Sequence, residues 1–206
     1  MKVKLLNKPD MSIIIEATRT CYDSMSKSDN LGEKDLALLE KIIDSKHESV
    51  LEHMVFTFKI TDISRACLQE LARHRIASYS VKSTRYTLKE LRDTPDNELE
   101  NFLIENIEPI VKYSSIESLK KIKMMLNMPN PDMDKIKYAL PECYKTELVW
   151  TINLRSLRNF LKLRLSLKAH QEIRKLAYEI YTYLMVNISK LNLYDIIFKG
   201  VRDGNI

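Results

Sequence analysis

Arg73-His74-Arg75-Ile76-Ala77-Ser78-Tyr79-Ser80-Val81-Lys82-Ser83-Thr84-Arg85-Tyr86 is the stretch best equipped for chemistry. It sets four fixed cations and a histidine among four Ser or Thr hydroxyls and two phenols, and no Asp or Glu occurs from Leu71 to Lys89. Cations without carboxylates, interleaved with short hydroxyls, suit the holding of phosphates, because a guanidinium grips two oxygens at once. A solvated basic loop has the same composition, but fourteen residues of cation–hydroxyl alternation favour an anion site.

Two further clusters lie far away in the chain. His47-Glu48-Ser49-Val50-Leu51-Glu52-His53 has Leu51 where a zinc-binding helix motif needs its second histidine, so metal is disfavoured. Asn153, Arg155, Asn159 and Arg164 run from a strand end through the next helix, with Arg155 and Asn159 four apart on one face. Arg164 sits among Leu161, Leu163 and Leu165, so it either snorkels to water or needs a hydrogen-bonding or anionic partner. Cys143 follows Glu142 and has no histidine near it in sequence, which disfavours a thiolate nucleophile.

The elements positioning these residues follow from periodicity. Residues 1–7 alternate as a first strand, and a helix from about Pro9 to Tyr22 carries Ile13, Ile14, Ala17 and Cys21 on one side. After a polar loop from Asp23 to Gly32, Leu36, Leu39 and Ile43 mark a second helix. Val55 to Ile60 alternates as a strand, and Asp62 and Ser64 cap a helix over Arg65 to Arg75. The cationic stretch therefore begins on a helix end and continues into a loop or strand edge. A long polar helix is expected from about Asp96 to Met125, broken near Pro109; a turn at 129–131 and a short helix then lead to Pro141. Thr146 to Leu154 reads as a buried strand. Ser156 caps a helix with Leu157, Phe160 and Leu161 inward, and the last long helix carries Ile173, Leu176, Ala177, Ile180, Tyr181, Leu184 and Ile188. This pattern predicts one α+β domain over 1–206, a small sheet packed against several helices.

Composition narrows the ligand chemistry. The three glycines stand at Gly32, Gly200 and Gly204, so neither a dinucleotide-binding glycine fingerprint nor a P-loop is possible. Any nucleotide must be held by side chains and helix ends. The net charge of +5 fits anionic small ligands and also nucleic acid. Cys21, Cys67 and Cys143 form no disulfide pattern, no stretch reaches the ~20 apolar residues of a membrane helix, and the N-terminus reads as no signal peptide. A cytoplasmic protein without a membrane partner is expected.

Taken together, the clusters resemble the flavin-dependent thymidylate synthases. Arg73-His74-Arg75, seven residues, then Ser83 with Arg85-Tyr86 is similar to that family's signature. His47-x-Ser49-x-x-Glu52-His53 and Thr151-Ile152-Asn153-Leu154-Arg155-Ser156-Leu157-Arg158-Asn159-Phe160-Leu161-x-Leu163-Arg164 resemble its flanking segments, in the same order. The resemblance implies a homotetramer with sites shared between subunits, binding FAD, dUMP, 5,10-methylenetetrahydrofolate and NADPH. It implies that Arg73, His74, Arg75, Ser49 and Val81 hold FAD, with Asn153, Leu154, Arg155 and Asn159 from another subunit. Glu70, Arg73, Ser83, Thr84, Arg85 and Lys137 would bind the nucleotide, and Arg164 would face the uracil as the catalytic cation. His47 and Tyr86 would stack on flavin or folate rings.

The chain departs from the family pattern at Ser80, Val81 and Thr84, where Asn, Glu and Gly are frequent, and at Glu70, Lys137 and Lys168, where Gln, Arg and His are. Val81 can offer only backbone, and Thr84 disfavours a positive φ, so a different loop path is expected. The implied activity is reductive methylation of dUMP with no nucleic-acid partner. Two other readings stay open: a nucleic-acid-binding module on the basic stretch, and a nucleotide-binding regulator without turnover.

Overall fold

The apolar residues that alternate along two strands build the centre of the sheet. In β2 (Val55–Ser64), Phe56, Phe58 and Ile60 are fully buried while Val55 is exposed and Thr57 and Lys59 are intermediate. In β4 (Lys145–Asn153), Thr146, Leu148, Trp150 and Ile152 point inward in the same two-residue rhythm. With β1 (Lys2–Leu5) and β3 (Ala77–Val81) they form a four-stranded sheet in the order β1-β2-β4-β3. The cationic stretch thus supplies an edge strand, as its reading as a loop or strand edge anticipated. In this computed structural model the described residues are 1–188 and 193–201.

The helices are α1 (Ser12–Cys21), α2 (Glu33–Asp44), α3 (Arg65–Ala72), α4 (Thr84–Thr87), α5 (Glu90–Asp93), α6 (Pro109–Leu126), α7 (Met133–Ile136), α8 (Leu154–Arg164), α9 (Gln171–Ile188) and α10 (Leu193–Ile197). No helix among the described residues is long and apolar enough to cross a membrane. The fold class is α+β.

Four local expectations are corrected. The buried face of α1 carries Ile14, Ile15 and Thr18, while Ile13 and Cys21 are exposed. Three consecutive isoleucines fit either of two faces, and the buried Arg19–Asp35 pair, 2.6 Å apart, decides between them. Ser64 alone caps α3, its Oγ accepting from Cys67 N–H at 2.9 Å, whereas Asp62 lies in β2 with φ 59°. No α-helix spans 96–125: a 3-10 segment covers Asp96–Phe102, Leu103 bridges to Tyr144, and Pro109 starts α6. A proline at N1 loses nothing, because that N–H has no helical partner, so it begins the helix rather than breaking it. Finally, Asn153, not Ser156, is the N-cap of α8; its Oδ1 accepts from Ser156 N–H at 2.9 Å.

The chain divides into two compact units: Met1, Ile60–Arg73 and Ser80–Leu148 form one; Lys2–Lys59, His74–Tyr79 and the chain from Val149 form the other. The core of the first gathers Leu88, Leu91, Leu99, Leu119, Ile122, Leu126 and Ile136 around Tyr144. Burial, with Glu90 nearby, pushes the Tyr144 hydroxyl up to about 12, so it stays protonated. Cys143 packs on the same core, its thiol 3.1 Å from Ser115 Oγ. In the second unit, aromatic rings stack inward from the sheet. Trp150 meets Phe58 at 6.1 Å and Phe160 at 5.1 Å, the latter edge-on. Of the inner residues read for the last long helix, Ile173, Leu176, Ala177, Ile180, Tyr181 and Leu184 are buried, and the Ile188 side chain lies outside what the structure describes.

Candidate functional site

In the first unit, two of the expected nucleotide-binding cations meet on one carboxylate. Arg85 Nη2 lies 2.6 Å from Asp134 Oδ2, and Lys137 Nζ lies 3.3 Å from Asp134 Oδ1. Local capping sets the carboxylate's place: Asp132 Oδ1 accepts from the N–H groups of Asp134 and Lys135, which starts α7. All three partners are open to solvent, so a phosphate can compete for both cations without first being desolvated. Ser83 is the N-cap of α4, and Thr84 is its first residue, outside the set of positive-φ positions. Threonine therefore sits there without strain. Arg73 lies just past the end of α3, within 3.5 Å of Glu70 one turn back, and is largely exposed. Glu70 thus faces a cation in this arrangement. Val81 is exposed at the end of β3.

In the second unit, two sequence clusters more than one hundred residues apart come together. The His47–His53 cluster folds as a 3-10 segment, Glu48–His53, that packs on α8. Glu52 Oε1 takes Arg155 Nη1 at 2.6 Å, and Glu48 Oε1 takes Arg158 Nη2 at 3.3 Å. Arg155, Arg158, Asn159 and Lys162 of α8 line a cavity of about 940 Å³ together with Lys46, Lys199, Glu48 and Glu52. That size lies at the upper end of the ~300–1,000 Å³ of cofactor sites. Arg158 is mostly buried, and its Nε and Nη1 are closed off from solvent with no hydrogen-bond partner among the described residues. Burial pulls the Arg158 pKa down, with Glu48 opposing that pull.

The other residues read as flavin-binding are placed differently. Ser49 is exposed on the 3-10 segment, and Arg75 is exposed after α3. Asn153 has Oδ1 committed to its cap, and Leu154 is wholly buried with its N–H donating to Met54 O at 2.8 Å. None of these four lines the cavity. His47 is exposed, with Nδ1 at 3.4 Å from Tyr22 Oη, and Tyr86 is exposed on α4.

Arg164, at the C-terminal end of α8, does not snorkel freely. Its Nε donates to His74 Nε2 at 3.0 Å. The His74 ring meets Phe160 edge-on at 4.9 Å, and Tyr79 Oη donates to the His74 carbonyl at 2.6 Å. Burial pushes the Tyr79 hydroxyl's pKa up, so it remains a donor at neutral pH.

Asp134, Arg158 and the aromatic support of His74 were not singled out from sequence. Asp134 precedes Lys137 by three residues, the helical spacing that pairs them, and that signal was available. Nothing in the sequence placed Arg85 or His74 beside such distant partners.

Comparison with known proteins identifies the family. Residues 4–186 match the family model described as thymidylate synthase complementing protein. The flavin-dependent thymidylate synthase of Wolinella succinogenes is 48% identical over 191 residues, covering 89% of this chain and 93% of that protein. The Campylobacter jejuni enzyme of the same name is 47% identical over 193 residues, covering 89% of this chain and 92% of that protein. A crystal structure of thymidylate synthase X from Helicobacter pylori with FAD and dUMP is similar with a TM-score of 0.85 at 38% identity, covering 97% of this chain and 100% of that one. The family model, the fold and the identity over nearly the whole length agree: the chain belongs to the flavin-dependent thymidylate synthase family.

Proposed function

We propose that this protein makes dTMP by reductive methylation of dUMP, using FAD as cofactor, 5,10-methylenetetrahydrofolate as carbon donor and NADPH as reductant, and releasing tetrahydrofolate. The observation that carries this reading is the cation-lined cavity at α8, where Arg155 and Asn159 stand together with Arg158, Lys162, Lys46 and Lys199. Its donors suit FAD: guanidinium and ammonium groups for the pyrophosphate and an amide for a ring edge. When bound, FAD supplies the hydride chemistry.

The chain's own residues bind, orient and polarise. His74, Arg75, Ser49, Asn153, Leu154, Arg155 and Asn159, with Arg73 and the Val81 backbone, serve the flavin. Ser83, Thr84, Arg85 and Lys137, together with Glu70 and Arg73, hold the nucleotide phosphate and sugar. Arg164 faces the pyrimidine, where a fixed cation favours loss of the N3 proton and so activates the ring without a cysteine adduct. The assembly is a homotetramer with sites shared between copies, acting in the cytoplasm as one domain over 1–206.

Absorption spectroscopy tests the reading. Protein mixed with FAD should retain a flavin spectrum; after reduction, the flavin should be reoxidised anaerobically by dUMP plus 5,10-methylenetetrahydrofolate. Absence of flavin binding at micromolar FAD would overturn it.

A further inference from the structure

We propose that His74 is the positioning residue of Arg164, fixing the guanidinium through its imidazole Nε2, and that Tyr79 steadies His74 in turn. This rests on Arg164 meeting the pyrimidine, as set out above. Beside the flavin role that the family resemblance implies for it, His74 turns its Nε2 to Arg164, whose Nε lies 3.0 Å away.

The donor inventory decides the direction of that bond. An arginine Nε carries a hydrogen and cannot accept, so His74 Nε2 must be the acceptor, and the neutral ring carries its proton on Nδ1. A charged donor with a neutral acceptor makes a hydrogen bond stronger than one between neutral groups. It also constrains geometry. Fixing Nε fixes the plane of the guanidinium, and that plane sets where the Nη hydrogens point.

Two contacts hold the imidazole itself. Phe160, buried on the face of α8 one turn before Arg164, meets the ring edge-on with centroids 4.9 Å apart. Tyr79 Oη donates to the His74 carbonyl at 2.6 Å, clamping the backbone that carries the ring. Trp150 packs edge-on against Phe160 at 5.1 Å and lies 6.4 Å from the Tyr79 ring. The aromatic core of the second unit therefore reaches the catalytic arginine through one imidazole nitrogen. An acceptor at that point narrows the orientations open to a side chain with this many rotatable bonds.

A double-mutant cycle on dUMP affinity tests this, read by calorimetry on FAD-saturated protein, with flavin content measured separately. His74→Leu removes the acceptor and should weaken dUMP binding at least 10-fold when Arg164 is present. In the Arg164→Lys background, which has no Nε–H at that position, the same change should cost under 3-fold. His74→Gln, whose Oε1 can accept where Nε2 did, should recover most of the loss. Tyr79→Phe leaves the imidazole in place and should give a smaller loss, about 3-fold, that vanishes in the His74→Leu background; it serves if His74→Leu does not fold. Equal losses in both Arg164 backgrounds, no advantage of Gln over Leu, or a Tyr79→Phe loss that persists without His74 would each overturn the positioning role. Failure of the parent protein to bind FAD or dUMP would instead sink the functional reading beneath it.

Discussion

Arg19–Asp35 and Arg85–Asp134 both close at 2.6 Å, yet the first pair is buried and the second lies in solvent. Asp35 is engaged on every side: besides Arg19 it accepts from Ser28 Oγ at 2.7 Å and from Leu31 N–H at 3.0 Å, so it organises the loop that leads into α2. Asp134 holds only side chains that water could hold as well. Distance alone does not separate a structural ion pair from one that a ligand can take over; solvation does. A buried pair stripped of one member leaves an uncompensated charge, whereas an exposed pair contributes at most about 1 kcal/mol. Arg164 stands between these cases, partly buried with its Nε donating to an imidazole nitrogen of His74.

The largest effect expected is on catalysis. Arg164→Ala should lower flavin reoxidation by dUMP and 5,10-methylenetetrahydrofolate by about 10³-fold, the scale of removing one pre-oriented charge from a reacting site. Flavin content should change little. A turnover within tenfold of the parent would remove Arg164 from the catalytic role.

The buried pair should respond in folding rather than in turnover. Asp35→Asn should destabilise the protein by about 3 kcal/mol at neutral pH, measured by urea denaturation. The pH profile carries the same information. Burial pushes the Asp35 carboxyl up, but the hydrogen bonds from Ser28, Arg19 and Leu31 prevail and hold it at about 2, below its ordinary 3.8. A depressed carboxyl contributes stability that is full above its unfolded pKa and fades as pH falls through the folded one. About 2 kcal/mol should therefore disappear between roughly pH 4 and pH 2, and Asp35→Asn should lack that component of the profile. An unchanged acid profile in the variant would mean that other carboxylates govern this range.

The smallest effect is expected at the exposed pair. Asp134→Asn should change stability by less than about 0.5 kcal/mol and should tighten dUMP about 3-fold at low ionic strength, because a competing carboxylate is gone. Binding weakened by tenfold instead would show that Asp134 gathers the two cations for the phosphate, and the contrast with Asp35 would narrow.

Much of this could be read from residue order alone. The rhythms of Val55–Ile60 and Thr146–Ile152 specify strands because side chains alternate between faces, and the inner face of the last long helix follows from helical spacing. The absence of a glycine cradle dictates that side chains hold any nucleotide. Local chemistry was harder to read where two residues could do one job. Asn153 rather than Ser156 caps α8, and three adjacent isoleucines fitted two faces of α1 until Arg19 and Asp35 paired. Tertiary structure alone decided the long-range partners: Arg85 and Lys137 on Asp134, Arg155 on Glu52, and Arg164 on His74. A guanidinium at any of these positions looks the same in one dimension. Whether it is a structural strut, an exchangeable grip or an aimed charge depends on which distant group folding brings to it, and on how much water folding leaves there.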